Sequence, residues 1–159
     1  GPDRAIDAVG VDAERPKSGP AAAQLEKQAQ QFQQELQQIA PQTNPQGDQW
    51  KPGDAPSLVA TWAVESLAKA GTLSIIGVYP QTHRFFPIGA VMNKNLTINS
   101  GNCNHRKYLP ELVAMVASGE VDPIQVLSHV EPMTNVLDAY KQFDLRKPGW
   151  VKVELVPGL

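Results

Sequence analysis

Three histidines, His83, His105 and His129, and one cysteine, Cys103, are the side chains best suited to metal ligation or nucleophilic attack. Their spacing suits neither. No pair of them stands at the intervals that zinc sites use. Cys103-Asn104-His105 puts a thiol two residues from an imidazole, whereas catalytic Cys–His pairs are distant in sequence. An exposed or hydrogen-bonded role accounts for each histidine. The phosphate-binding motif G-x-G-x-x-G and the P-loop are absent, as is the G-x-S-x-G nucleophile elbow. What remains is glycine at the ends of apolar runs: Val9-Gly10, Ile76-Gly77-Val78 and Ser100-Gly101-Asn102. In an open parallel sheet, ligands bind outside the carboxyl ends of the strands, and glycine lets the backbone approach a flat ring or a phosphate closely. Each glycine alone only marks a turn. Three at the ends of consecutive strands point to one shared rim.

The elements that must hold this rim follow from periodicity. Residues 4–9, RAIDAV, form a short run apolar on both faces with one carboxylate, Asp7, which predicts a strand buried between helices. Residues 14–56 are a Gln- and Pro-rich insert. Within it Leu25, Ala29, Phe32, Leu36 and Ile39 are spaced as one face of a single amphipathic helix. The stripe is either a short coiled-coil seam for a partner or a face packed on its own domain. Its two heptads favour packing, because coiled coils need about three or four. Pro41 to Pro56 reads as an extended polar loop.

Ser57 is placed to cap a helix over 58–70 that Gly71 would stop. The run 72–79, TLSIIGVY, predicts a buried strand. A helical turn over 88–94 and a strand over 96–101 follow. Later come a helix over 108–118 with Pro110 in its first turn, a strand over 124–130, a helix from Asn135 to about Leu145 capped by Thr134, and a half-exposed strand over 150–156. The pattern is α/β with parallel strands early.

Composition narrows the function classes. Of 159 residues, 42% are hydrophobic and 19% charged, which allows a packed core and excludes overall disorder. Lys and Arg number 14 against 16 Asp and Glu, a net charge of -2. That balance argues against nucleic acid, which needs a basic stripe, and against an anionic membrane surface. One cysteine excludes an internal disulfide and a cysteine-based structural zinc site. No apolar run approaches about 18 residues, and GPDRAIDAVG lacks the basic and apolar regions of a signal peptide. The expectation is a soluble cytoplasmic protein. The sequence opens on Gly1-Pro2 rather than Met, and its strand set leaves a sheet edge uncovered, which suggests a piece of a longer parent.

Taken together, AIDAVG, LAKAGTLSIIGVY, FPIGAVMNKNLTINSGNCNHRKYLPELV, GEVDPIQVLSHVEP, AYKQFD and PGWVKVEL resemble the carboxyl-terminal part of zinc-dependent alcohol dehydrogenases. That family is the medium-chain dehydrogenase/reductase superfamily, in its formaldehyde- and threonine-dehydrogenase-like branch. The resemblance covers residues 1–13 and about 57–157. It implies that 1–101 is the second half of a Rossmann domain, three parallel strands interrupted by the insert. Residues 102–159 would be the segment returning to the catalytic domain. The family's zinc ligands, Gly-rich turn and ribose-reading acid have no counterpart here, so the resemblance implies zinc in the parent only, no catalytic residue in this chain, and NAD or NADP undecided.

Only cofactor contacts carry over. Val9 and Gly10 match the adenine-pocket wall. Ile76, Gly77 and Val78 match the backbone that meets the nicotinamide carboxamide, Gly77 leaving space for the ring, and Ser100, Gly101 and Asn102 match a second carboxamide-facing segment. Lys152 matches a basic position near the pyrophosphate, where lysine gives a point-charge contact. Residues 95–101 match a strand that pairs across a dimer axis, which implies a homo-oligomer. The alternative function is a self-standing, non-catalytic module for dinucleotide binding or oligomerisation.

Overall fold

The computed structural model describes residues 1–39 and 51–158. The first two-thirds of the loop expected over 41–56 thus lies outside the described residues. Two compact units divide the rest, one from 1–39 with 51–103 and the other from 104–158.

In the first unit, β1 (Arg4–Asp7), β2 (Thr72–Ile75) and β3 (Thr97–Ser100) form a parallel sheet in the order β1-β2-β3. Its helices are α1 (Pro20–Glu26), α2 (Ala29–Ile39), α3 (Leu58–Ser66) and α4 (Ile88–Asn93). The register aligns Asp7, Ile75 and Ser100 across the sheet. The three expected tips therefore lie side by side and point the same way. Each strand is shorter than its apolar run, because the chain turns at the tip to form bonds described below.

Strand alternation sends Ala5, Leu73, Ile75 and Ile98 to one face. There they pack with Val64 and Leu67 around α3 and with Val91 of α4. Leu73 and Val64 are fully buried. On the other face Ile6 is 70% exposed, so β1 is covered by helix on one side only among the described residues. The expectation of burial on both faces is corrected. The apolar pattern of RAIDAV does not by itself say which of its faces a helix covers.

Helix α3 joins two cores. Its Leu58 packs with Leu25, Phe32, Ala13 and Ala55, while Val64 faces the sheet. Apolar residues on two of its sides explain why it needs two covers, while Glu65 and Ser66 are exposed. Both of its ends are capped by residues from elsewhere. Glu35, fully buried, accepts from the Ser57 backbone N–H at 3.1 Å and the Ser57 hydroxyl at 2.8 Å. At the other end Lys94 Nζ donates to the carbonyls of Val64, Glu65 and Leu67 at 3.0, 2.6 and 2.9 Å. An acid at the N-terminus and a base at the C-terminus both oppose the helix dipole.

Several local expectations change. Ser57 makes no side-chain cap to α3; its hydroxyl is spent on Glu35. Ala70, not Gly71, takes the left-handed conformation after the helix, at φ 60°. The single insert helix is two, interrupted at Lys27-Gln28. Neither residue is a helix breaker, so packing sets the interruption: Leu25 in α1 and Phe32 in α2 enter the same core cluster. Leu25 and Phe32 of the stripe are thus buried within their own unit, in line with packing, while Ala29, Leu36 and Ile39 are half-buried. The insert leaves and returns side by side, with Gly53 N–H on Val11 O at 3.0 Å and Ala55 N–H on Ala13 O at 2.9 Å. Arg15 Nε pairs with Asp54 at 3.2 Å.

The second unit contains α5 (His105–Ala117), β4 (His129–Pro132), α6 (Val136–Asp144) and β5 (Val153–Val156). Strands β4 and β5 are parallel, with His129 opposite Val153, so β4, α6 and β5 form a crossover unit. The strand expected over 124–130 is instead a 3-10 turn, Pro123–Val126. Pro123 fixes φ there, and Asp122 accepts the Ile124 N–H at 3.1 Å. Helix α5 begins at His105 because Asn104 caps it by accepting from Lys107 N–H, which places Pro110 inside the helix rather than in its first turn. Thr134 lies in a 3-10 turn, Met133–Asn135, ahead of α6.

Replacing Glu35 by alanine leaves the buried Ser57 donors without an acceptor. The Glu35→Ala variant should lose about 2–4 kcal/mol of unfolding free energy in urea, and Glu35→Gln less. A loss below about 0.5 kcal/mol, the scale of an ordinary surface substitution, would contradict the cap.

Candidate functional site

The rim at the tips of β1 and β2 is organised by Asp7. Residue 7 follows Ala5 on the covered face of β1, and its side chain is 1% exposed. A buried carboxylate is costly unless it is well hydrogen-bonded. Here Oδ1 accepts from the backbone N–H groups of Val9 and Gly10, both at 2.9 Å. Oδ2 accepts from the Tyr79 hydroxyl at 2.6 Å. The backbone carbonyl of the same residue accepts from Ile76 N–H at 2.9 Å and Gly77 N–H at 2.8 Å. Val11 N–H then donates to Val78 O at 3.1 Å, stitching the two tips together.

The glycines make this stitching possible. Gly10 has φ +65°, and a Cβ there would collide with the backbone of Gly77 and Val78. A Cβ on Gly77 would collide with the Gly10 backbone and lie 2.9 Å from Asp7 Oδ1. The space expected beside Gly77 for a ring is therefore filled by Gly10 main chain, since neither residue carries a side chain to hold the two segments apart. Gly101 differs: at φ +145° nothing lies within 4 Å of its Cβ position. Ser100, Gly101 and Asn102 are exposed beyond the third tip.

Val9, Ile76 and Val78 are 42%, 68% and 72% exposed. The amides of Val9, Gly10, Val11, Ile76 and Gly77 are all committed within the chain. This stretch thus cannot cradle a phosphate with those N–H groups. It can offer apolar contact to a flat ring.

Lys152 lies in the second unit, just before β5. It borders a groove of about 200 Å³ with Ala139, Tyr140, Phe143, Val153 and Leu155. Its carbonyl accepts from the Ser128 N–H at 2.9 Å and hydroxyl at 2.8 Å. Its side chain is exposed, and the exposed aromatic rings of Tyr140 and Phe143 are its neighbours in the groove.

Nothing in the sequence marks Tyr79, and Asp7 stands out there only as a carboxylate in an apolar strand. The one available signal was that charge in RAIDAV. Burial raises the Tyr79 phenol far above its usual value, and the hydrogen bond to Asp7 and the carboxylate charge add to the rise. Tyr79 therefore stays protonated and donates. His83 packs 4.9 Å from the Tyr79 ring, and its Nε2 donates to Phe85 O at 2.7 Å. Its Nδ1 is buried without a hydrogen-bond partner. Cys103 and His105 are exposed, and His129 stacks on Trp150 at 3.9 Å. Among the described residues no three His, Cys, Asp or Glu side chains are grouped to hold a metal ion, and no helix is long and apolar enough to cross a membrane.

No protein-family profile matches the chain. Over 95 residues it is 36% identical to an uncharacterised zinc-type alcohol dehydrogenase-like protein, AdhB, of Bacillus subtilis (strain 168). That match takes in 60% of this chain and 25% of the relative, so the chain spans about a quarter of that protein's length. Among solved structures, alcohol dehydrogenase TADH from Thermus sp. ATN1 is similar with a TM-score of 0.55 at 24% identity, over 96% of this chain and 42% of the other. An alcohol dehydrogenase (rspB) from E. coli CFT073, solved with NADH, has a TM-score of 0.52 at 23% identity, over 64% and 29%. The structural likenesses show the fold, mixed helix and parallel strand of the Rossmann-like kind, as expected from the sequence. The resemblance to zinc-dependent alcohol dehydrogenases holds over these 95 residues.

Two outcomes follow from the rim. Gly77→Ala forces the tips apart and should cost more than about 2 kcal/mol of stability. Gly89→Ala in α4, where nothing lies within 4 Å of the Cβ position, should be neutral or stabilising by up to about 1 kcal/mol. Equal unfolding midpoints for the two variants would refute the close contact. For Tyr79, the folded-state pKa lies above the unfolded value of about 10. Above that pH the folded chain holds the extra proton, so its stabilising effect is present below about pH 10 and is lost as pH rises. Tyr79→Phe should therefore lose less stability than wild type between about pH 9 and 11, measured by urea unfolding. Parallel alkaline slopes would contradict this.

Proposed function

We propose that this chain supplies the cofactor-facing second half of the nucleotide platform in a zinc-type alcohol dehydrogenase that moves hydride between an alcohol or aldehyde and a nicotinamide dinucleotide. The observation that carries the reading is the alignment of three parallel strand tips at Asp7, Ile75 and Ser100, in a chain whose sequence resembles such dehydrogenases. Residues 1–101 would be the partial Rossmann domain and 102–159 the segment of the catalytic domain. Val9 and Gly10 would wall the adenine pocket. Ile76, Gly77 and Val78, with Ser100, Gly101 and Asn102, would face the nicotinamide. Lys152 would offset pyrophosphate charge.

The rim fits the cofactor's rings better than its phosphates. Val9, Ile76 and Val78 expose apolar surface, while the nearby amides are occupied. Phosphate binding of the usual kind needs a helix N-terminus with open N–H groups, so NADH should bind this chain weakly. NAD and NADP both fit the rings. Zinc does not fit the donor set described, and no step is assigned to it here. We assign no acid, base or metal ligand for hydride transfer to these residues. Strand β3 ends the sheet with one edge unpaired among the described residues, which suits the proposed pairing of 95–101 with a second copy.

For the alternative of a self-standing oligomerisation module, Leu25 and Phe32 of the stripe are already buried in the chain's own core, which leaves strand 95–101 as its main support.

An NMR titration of the labelled chain with NADH tests the reading. Amide shifts should appear at Gly10, Gly77 and Gly101 and be absent at Gly119 and Gly149. No shift at about 10 mM NADH, a concentration that would detect even very weak binding, overturns it. With short alcohols, zinc and NAD, the chain should form no NADH above a protein-free blank, and turnover would refute the assignment of no catalytic residue. Sedimentation equilibrium should show self-association; a strict monomer would remove the β3 contact.

A further inference from the structure

We propose that Asp7 is the positioning residue of the candidate nucleotide rim: one buried carboxylate fixes the Val9–Gly10 turn after β1 and, through the Tyr79 hydroxyl, the segment after β2. The inference rests on the dinucleotide reading above and names the residue that gives that site its shape.

Three observations support it. First, the segment after β2 has little packing of its own, because the side chains of Ile76 and Val78 face solvent at 68% and 72% exposure. What holds it is polar: Ile76 and Gly77 N–H on the Asp7 carbonyl, Val78 O on Val11 N–H, and Tyr79 on the Asp7 carboxylate. Secondly, packing alone would be served by an apolar residue at position 7, whose neighbour on that face, Ala5, joins the core around Leu73. A carboxylate buried to 1% exposure is explained by its donors, which come from both tips.

Thirdly, the two oxygens divide the work. Oδ1 serves the turn at Val9 and Gly10, and Oδ2 serves Tyr79 seventy-two positions along the chain. Main chain fixed in advance needs no ordering when a ligand arrives, which favours affinity. An amide at position 7 would keep the first arm, since its oxygen still accepts. It would reverse the second, because its NH2 cannot accept from a phenol and Tyr79 would have to become the acceptor.

The test compares Asp7→Ala, Asp7→Asn and Tyr79→Phe with wild type in two readouts on the full chain. Amide hydrogen exchange at Val9, Gly10, Ile76 and Gly77 reports the clamp without ligand. Tyr79→Phe should speed exchange at Ile76 and Gly77 about tenfold or more, the scale of losing one charge-assisted hydrogen bond. Val64 and Leu67 in the core should accelerate less than Ile76 and Gly77 in this variant. Asp7→Asn should keep Val9 and Gly10 protected, and Asp7→Ala should lose all four. The second readout is the NADH dissociation constant from the same NMR titration, expected to rise about tenfold in Tyr79→Phe at neutral pH, where its urea midpoint falls below that of wild type but the variant remains folded.

Unchanged exchange at Ile76 and Gly77 in Tyr79→Phe overturns the clamp, as does acceleration spread equally to Val64 and Leu67. Local acceleration with an unchanged NADH constant overturns the positioning role and leaves the dinucleotide reading standing. If wild type shows no NADH shifts, the dinucleotide reading fails and the ligand-positioning claim fails with it. The exchange data then still decide whether Asp7 clamps the tips.

Discussion

A carboxylate with almost no contact with water sits where the first strand ends, and the shape of the candidate site follows from satisfying it. Burying Asp7 without donors would cost several kcal/mol. The chain meets that cost by bending at Val9–Gly10, bringing Ile76 and Gly77 under the same residue's carbonyl, and turning Tyr79 inward. Only glycine at 10 and 77 lets the two tips come that close. The strands end early for the same reason, since backbone groups used by these bonds are no longer available to the ladder.

Behind the rim, α3 transmits order between two cores. It presents apolar residues to two sides, Leu58 to the insert and Val64 to the sheet, so the sheet alone cannot satisfy it. The insert covers what the sheet leaves, with Phe32 and Leu25 against Leu58. Glu35 and Lys94 then fix the helix ends from two different parts of the chain. Each is charged, and each stands at the end of the helix where its sign is favourable. A long polar insertion between β1 and α3 is thereby tolerated without loosening the sheet, because it begins and ends on paired backbone at Val11, Ala13, Gly53 and Ala55.

The candidate site itself has two kinds of surface. Around Gly10 and Gly77 the main chain is closed on itself and its amides are used. Around Gly101 it is open. A ligand at this rim would meet apolar side chains at the first two tips and accessible backbone at the third. Within the second unit, Lys152 is an exposed cation in a groove with the rings of Tyr140 and Phe143. The likeness to zinc-type alcohol dehydrogenases comes from sequence, and the solved structures add the fold.

Sequence by itself announced parallel strands closed by glycine with their tips on one rim, and it favoured packing over a partner seam for the stripe of the insert. β-branched runs closed by glycine are local signals, and a stripe of two heptads is too short to stand alone. The late strand at 129–132 was misplaced because Asp122 and Pro123 turn the chain within an apolar run whose pattern looks extended. The roles of Asp7, Tyr79 and Glu35 were decided by tertiary structure alone. Their meaning lies in partners 72 and 22 residues away, and a charged residue in an apolar run carries no mark of which distant donors will satisfy it. The same holds for Gly77: composition announced a close approach, but only the fold decided that the approaching group was the protein's own backbone.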